Sequence, residues 1–135
     1  MFKRIHHINF VVRDLEHAVA QYENLTGVQF EYIEEHPTRL VKIARIKLSE
    51  VWLVLVQPMD MDSVPGRVLE QQGEGFFLIS YMVDDIVAAI AAIKAHGGKM
   101  IDDKPRKGIS NWYVADLDTS SSFGVMSQIC QEIDE

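Results

Sequence analysis

The sequence predicts an α+β fold built from two tandem βαβββ units. Three observations predict it: a repeated opening stretch, matched strand ends further along, and the same punctuation around two helices. "HHINFVVRDLEHAVAQYENLTG" (residues 6–27) and "LISYMVDDIVAAIAAIKAHGG" (residues 78–98) align with Ile8 on Ile79, Val12 on Val83, Asp14 on Asp85, Ala18 on Ala89 and Gly27 on Gly98. "VWLVLVQ" (51–57) falls on "VMSQICQ" (125–131), which sets Val54 on Gln128 and leaves three extra residues inside the second half.

Each copy opens with the alternation of a half-buried strand. An acid then stands at the helix N-cap position, Asp14 or Asp85, where a carboxylate accepts from orphan first-turn N–H groups. The helices are expected over 15–25 and 86–96, each closed by a glycine that tolerates the left-handed cap. Three strands follow in each half, over 30–34, 40–47 and 51–57, then 99–102, 112–116 and 124–130. Residues 1–135 read as one domain, with a first unit over 4–58, a second over 76–131, and a linker over 59–75. The linker carries Pro65 and Gly66 and a short amphipathic turn, Val68 to Gln72. Two such sheets are expected to form one curved mixed sheet with an open cleft.

Acidic residues outnumber basic ones, 20 to 13, for a net charge of −7. That balance argues against nucleic acid and against an anionic membrane surface. The N-terminus has no apolar signal core, and the longest apolar run, "VWLVLV", is strand-sized. With one cysteine, Cys130, neither an intrachain disulfide nor a multi-cysteine zinc site is available. A cytoplasmic protein is expected.

The paired units resemble the vicinal oxygen chelate superfamily, the glyoxalase/bleomycin-resistance fold, and are closest in style to methylmalonyl-CoA epimerase. "HHINFVVRDLEHAVAQYENLTG" looks like that group's first strand and helix. "VLEQQGEG" (68–75) resembles the segment before its second unit, and "VDDIVAAIAAIKAHGGKMIDDKPRKG" (83–108) its second helix and following loop. The resemblance implies a divalent metal on four side chains, at positions 7, 54, 78 and 128, with His, Glu or Gln, His and Glu in order. This chain has His7, Val54, Leu78 and Gln128 there. Only His7 and Gln128 carry donor atoms, and two neutral donors make a weak site. No cofactor and no tightly bound metal are therefore expected. The epimerases also imply carboxylate bases, one at position 128 and one near "EEH" (34–36). Gln128 cannot accept a proton usefully, and Glu35 matches only with a three-residue slip, Thr38 standing at the aligned place.

Strand parity places His7 and Asn9 on the cleft face, with Trp52 and Val54, Leu78 and Ser80, and Met126 and Gln128. That is an apolar cup with four polar groups, the make-up of an organic-ligand pocket. His7 alone reads equally well as a buried histidine bonded to Gln128 or Asn9. His6 is expected to turn away from the cleft, and His17, His36 and His96 to face solvent.

Three functions follow. The first is binding of an apolar or acyl-CoA-like carbonyl ligand, with metal-independent proton transfer by His7 as catalytic group. The second is a metal-dependent epimerase or lyase of the methylmalonyl-CoA epimerase or glyoxalase I type. The third is sequestration, as in antibiotic-resistance binders, where Trp52, Trp112, Phe76 and Phe77 suit a pocket between chains. A small-molecule partner and a homodimer are expected.

Overall fold

A computed structural model describes residues 1–33 and 40–134. The chain order is β1 (Arg4–Val11), α1 (Leu15–Thr26), β2 (Glu31–Ile33), β3 (Val41–Leu48), β4 (Val51–Pro58), α2 (Val64–Gln72), β5 (Gly75–Met82), α3 (Ile86–Ala95), β6 (Arg106–Lys107), β7 (Trp112–Asp116), a 3-10 turn (Thr119–Ser121) and β8 (Ser127–Glu132). The class is α+β, as predicted. Two compact units divide the chain: His7–Phe77, and Met1–His6 with Leu78–Glu135.

In the first unit the strands run β2-β3-β4-β1. The β1–β4 pair is parallel and the other two are antiparallel. A parallel pair needs a crossover, and α1 with β2 and β3 supplies it. The Asp14 side chain accepts from the His17 N–H, as the cap reading requires, and Gly27 closes the helix in the left-handed conformation. Leu15 and Val19 of α1 pack on Phe30, Ala44, Ile46 and Leu55, with Phe10 and Leu53 joining them. That set fixes one face of the sheet as core.

The second unit repeats the plan. Its strands run β5-β8-β7-β6, with β5 and β8 parallel. The Asp85 side chain accepts from the Ala88 N–H. Ile86, Ala89, Ile90 and Ile93 of α3 pack on Ala115 and Ile129. The repeat extends to individual hydrogen bonds. Gln57 Oε1 accepts from Leu15 N, and Gln131 Oε1 from Ile86 N, each at 2.9 Å. Val12 N donates to Val56 O and Val83 N to Cys130 O, again both at 2.9 Å. In each unit a glutamine at the end of the last strand thus holds the first N–H of the helix.

Two elements differ from expectation. The stretch 99–102 is no strand: it makes one bridge, Met100 to Leu117, and the fourth strand is β6. Asp102 is the cause, since its carboxylate takes the Asp116 N–H at 2.7 Å and also holds Arg106. A side chain there replaces a ladder partner. The amphipathic turn at 68–72 is the end of the nine-residue helix α2. Ser63 caps it by accepting from Gly66 N at 3.1 Å, and Pro65 suits the first turn. Gly66 is required there, because a Cβ would lie 2.4 Å from Asp60 O.

Candidate functional site

In the first unit the sheet face opposite α1 carries the candidate residues in register. Glu31 pairs with Arg45, Arg45 with Val54, and Val54 with Asn9, so these four form one row across β2, β3, β4 and β1. Lys47, Trp52 and His7 form the next row. His7 and Val54 are buried, while Asn9 and Trp52 are half-buried. The Asn9 Oδ1 atom is buried and has no hydrogen-bond partner among the described residues.

Arg45 was not among the residues read from sequence. It is only 7% exposed, its guanidinium carbon lies 4.2 Å from the Trp52 ring centroid, and its Nη2 lies 3.4 Å from Glu31 Oε1. Lys47 Nζ reaches within 5.5 Å of the same ring. The signal that finds Arg45 is the hairpin. Ser49 and Glu50 are its two turn residues, which pairs Leu48 with Val51 and hence Arg45 with Val54.

In the second unit Ser80 pairs with Gln128, and Gln128 with Asp116. Ser80 is fully buried and Gln128 is 5% exposed. Gln128 Nε2 donates to Asp116 Oδ1 at 2.9 Å, and Arg106 Nη2 holds the other Asp116 oxygen at 3.0 Å. Gln128 is therefore anchored by its NH₂ group. Its Oε1, like Ser80 Oγ, is buried without a hydrogen-bond partner among the described residues. Such atoms cost about 1–3 kcal/mol each unless something is bonded to them. Leu78 is buried, and Met126 is half-buried with its carbonyl accepting from Ile79 N.

His6 is fully buried in the second unit, with Nε2 2.7 Å from Glu132 Oε1 and the ring edge-on to Trp112 at 4.6 Å. Sequence parity gave it no such role, because Glu132 and Trp112 are remote in the chain and face each other in the β7–β8 register. Burial pushes the Cys130 thiol up to about 12, and the Glu132 carboxylate adds to the rise. His17 and His96 are exposed, as expected. His36, Glu35 and Thr38 lie outside the described residues.

Over residues 6–115 the chain matches the Glyoxalase/Bleomycin resistance protein/Dioxygenase superfamily. The chain belongs to this superfamily. Among relatives of this superfamily member, the Bacillus subtilis protein YqjC, itself uncharacterised, is 27% identical over 95% of this chain and 91% of its own. The ethylmalonyl-CoA/methylmalonyl-CoA epimerase of Cereibacter sphaeroides is 30% identical over 75% of this chain and 76% of its own. A solved methylmalonyl-CoA epimerase in complex with methylmalonyl-CoA and NH4+ superposes with a TM-score of 0.92 at 26% identity, covering 98% of this chain and 96% of that one. Among the described residues no helix is long and apolar enough to cross a membrane.

The superfamily resemblance implied a divalent ion at positions 7, 54, 78 and 128. The residues present do not fit one. Val54 and Leu78 have no donor atom, and Gln128 offers a neutral amide oxygen where an anion would help balance the charge.

Proposed function

We propose that this protein binds an acyl-CoA-like carbonyl ligand and moves a proton on the carbon beside the carbonyl, with His7 as the acid–base group and without a tightly held divalent ion. The observation that supports the ligand class most is the likeness to methylmalonyl-CoA epimerase along 98% of the chain, in a complex that contains methylmalonyl-CoA. The sequence carries the remainder: two of the four family ligand positions are aliphatic.

In this reading the neutral imidazole of His7 takes the α-proton, and the C–H electron pair moves onto the carbonyl oxygen as an enolate. An imidazole titrates near neutral pH and serves in both directions. Return of the proton from the imidazolium restores the thioester. Asn9, Trp52, Val54, Leu78, Ser80, Met126 and Gln128 are taken as ligand-contacting residues. Ser80 and Gln128 support this, since each carries a buried polar atom with bonding capacity left over. The protein is taken to act as a cytoplasmic homodimer.

The test is exchange of the α-proton of methylmalonyl-CoA with solvent deuterium, followed by NMR. Exchange is expected without added metal and in chelator, falling about 10²–10⁴-fold in His7→Ala. Loss of exchange on chelation would establish the metal-dependent epimerase instead. Tight binding of an apolar ligand with no exchange on any thioester would establish sequestration.

A further inference from the structure

We propose that Ser80 and Gln128 form a subsite for one hydroxyl group of the ligand, so that an acyl thioester carrying a hydroxyl is preferred to the same thioester without it. This deepens the acyl-CoA reading above and rests on it.

The two side chains share a face of the second unit. Ala115 and Ile129 belong to the core under α3, so their strand neighbours Asp116 and Gln128 stand on the opposite face. Ser80 is the parallel-strand partner of Gln128 and Asp116 its antiparallel-strand partner, which makes one row across β5, β8 and β7. Leu78, Met82 and Cys130 flank that row on the same face, so the two side chains stand in a strip with little other polarity.

The hydrogen bonds around Gln128 decide what the subsite accepts. A carboxylate only accepts, so the group that Gln128 turns to Asp116 Oδ1 at 2.9 Å is its NH₂. That fixes Oε1 on the other side of the amide, as a buried acceptor to which nothing donates among the described residues. Ser80 Oγ is also buried without a partner there, and a hydroxyl both donates and accepts. One strand spacing, about 4.8 Å, separates the two backbones, and a single oxygen making two bonds of about 2.8 Å spans that distance. A ligand hydroxyl meets both needs at once: it donates to Gln128 Oε1 and accepts from Ser80. A carboxylate takes the Ser80 proton but sets lone pairs against Oε1. A secondary amide N–H donates to Oε1 and accepts nothing at the same atom. Both oxygens are covered by their neighbours, so the group that reaches them is small and side chains give way to it. Met82, half-buried and unbranched, is suited to that movement.

The test measures dissociation constants by calorimetry on the full chain, for propionyl-CoA, its 2-hydroxy and 3-hydroxy derivatives, and methylmalonyl-CoA. The wild type is expected to bind one of the hydroxy derivatives about 5- to 100-fold more tightly than propionyl-CoA, the range for two net hydrogen bonds. Ser80→Ala should shrink that preference severalfold. Asp116→Asn tests the orientation of the amide. Arg106 Nη2 lies 3.0 Å from Asp116 Oδ2 and only donates, so the new side chain turns its oxygen to Arg106 and its NH₂ to Gln128. Gln128 then accepts with Oε1 and presents its own NH₂ to the ligand. Methylmalonyl-CoA should gain severalfold over propionyl-CoA in this variant. That gain should vanish once Gln128→Met is added, whereas the loss of one negative charge acts with either residue at 128. Circular dichroism checks that each variant folds. Equal binding of propionyl-CoA and both hydroxy derivatives by the wild type would overturn the inference and leave the acyl-CoA reading standing. A preference undiminished in Ser80→Ala would overturn it too, as would a gain in Asp116→Asn that is absent or that persists with Gln128→Met. Binding of no thioester by the wild type would overturn the acyl-CoA reading, and this inference with it.

Discussion

Replacing Gln128 by Glu asks why an amide stands where the superfamily resemblance implies an acid. The Gln128 NH₂ group donates to Asp116 Oδ1 at 2.9 Å, and Gln128 is 5% exposed. Gln128→Glu exchanges that donor for an anionic oxygen and brings two carboxylates into contact. Two unit charges about 4 Å apart repel by about 4 kcal/mol at an effective dielectric constant of about 20. A lost hydrogen bond to a charged group adds about 1.5–3 kcal/mol. Arg106, on the other Asp116 oxygen at 3.0 Å, offsets part of this, and its half-exposed side chain limits the offset. A net loss of about 2–4 kcal/mol at pH 8 follows from these terms. The new carboxyl escapes the penalty by keeping its proton, which also restores a donor to Asp116. Its folded pKa is therefore raised above the unfolded value of about 4.3. The penalty is absent below that unfolded value and grows as pH rises through the raised one. Urea unfolding of wild type and variant at pH 5 and pH 8, followed by tryptophan fluorescence, reads the difference. The same destabilisation at both pH values would refute the contact between position 128 and Asp116 as the reason for the amide.

Two further outcomes concern the frame of each unit. Gln57→Ala and Gln131→Ala should each cost about 0.5–1.5 kcal/mol in urea unfolding, because each strips one accepted N–H from the start of a helix; a loss in only one variant would break the symmetry argued from the repeat. The Cys130 thiol should resist a disulfide reagent at pH 8 until urea is added, since burial raises it from 9.0 to about 12. Its contribution to stability is complete below pH 9 and is lost as pH rises towards about 12, so Cys130→Ser should flatten the alkaline stability curve. Rapid labelling of the folded protein would disprove the burial.

The two helices, their aspartate caps and the strand faces were legible because each rests on local pattern. Asp14 and Asp85 stand immediately before the two helices, and alternation along β1 and β4 puts Phe10, Leu53 and Leu55 on the face that the core then uses. What escaped depends on contacts distant in sequence. His6 finds Glu132 across 126 residues, and nothing near either residue announces the pair. Asp102 looks like the end of a strand, yet its carboxylate occupies the Asp116 N–H and ends the ladder there. Arg45 sits in a strand that was expected, but parity was carried to β1, β4, β5 and β8 and stopped short of β3.

Register makes the two halves comparable position by position. Val54 and Gln128 are repeat equivalents, Asn9 and Ser80 are their parallel-strand partners, and Arg45 and Asp116 are their antiparallel-strand partners. The equivalent places thus hold a cation beside an aliphatic in one half and an anion beside an amide in the other. A divalent ion wants anionic donors and no neighbouring positive charge. In the first half Arg45 opposes it in the row where Val54 already fails to donate. Restoring a donor at position 54 alone would leave that guanidinium in place. Position 54 therefore lacks a donor and lies beside a guanidinium in the register, and both disfavour a divalent ion in this row.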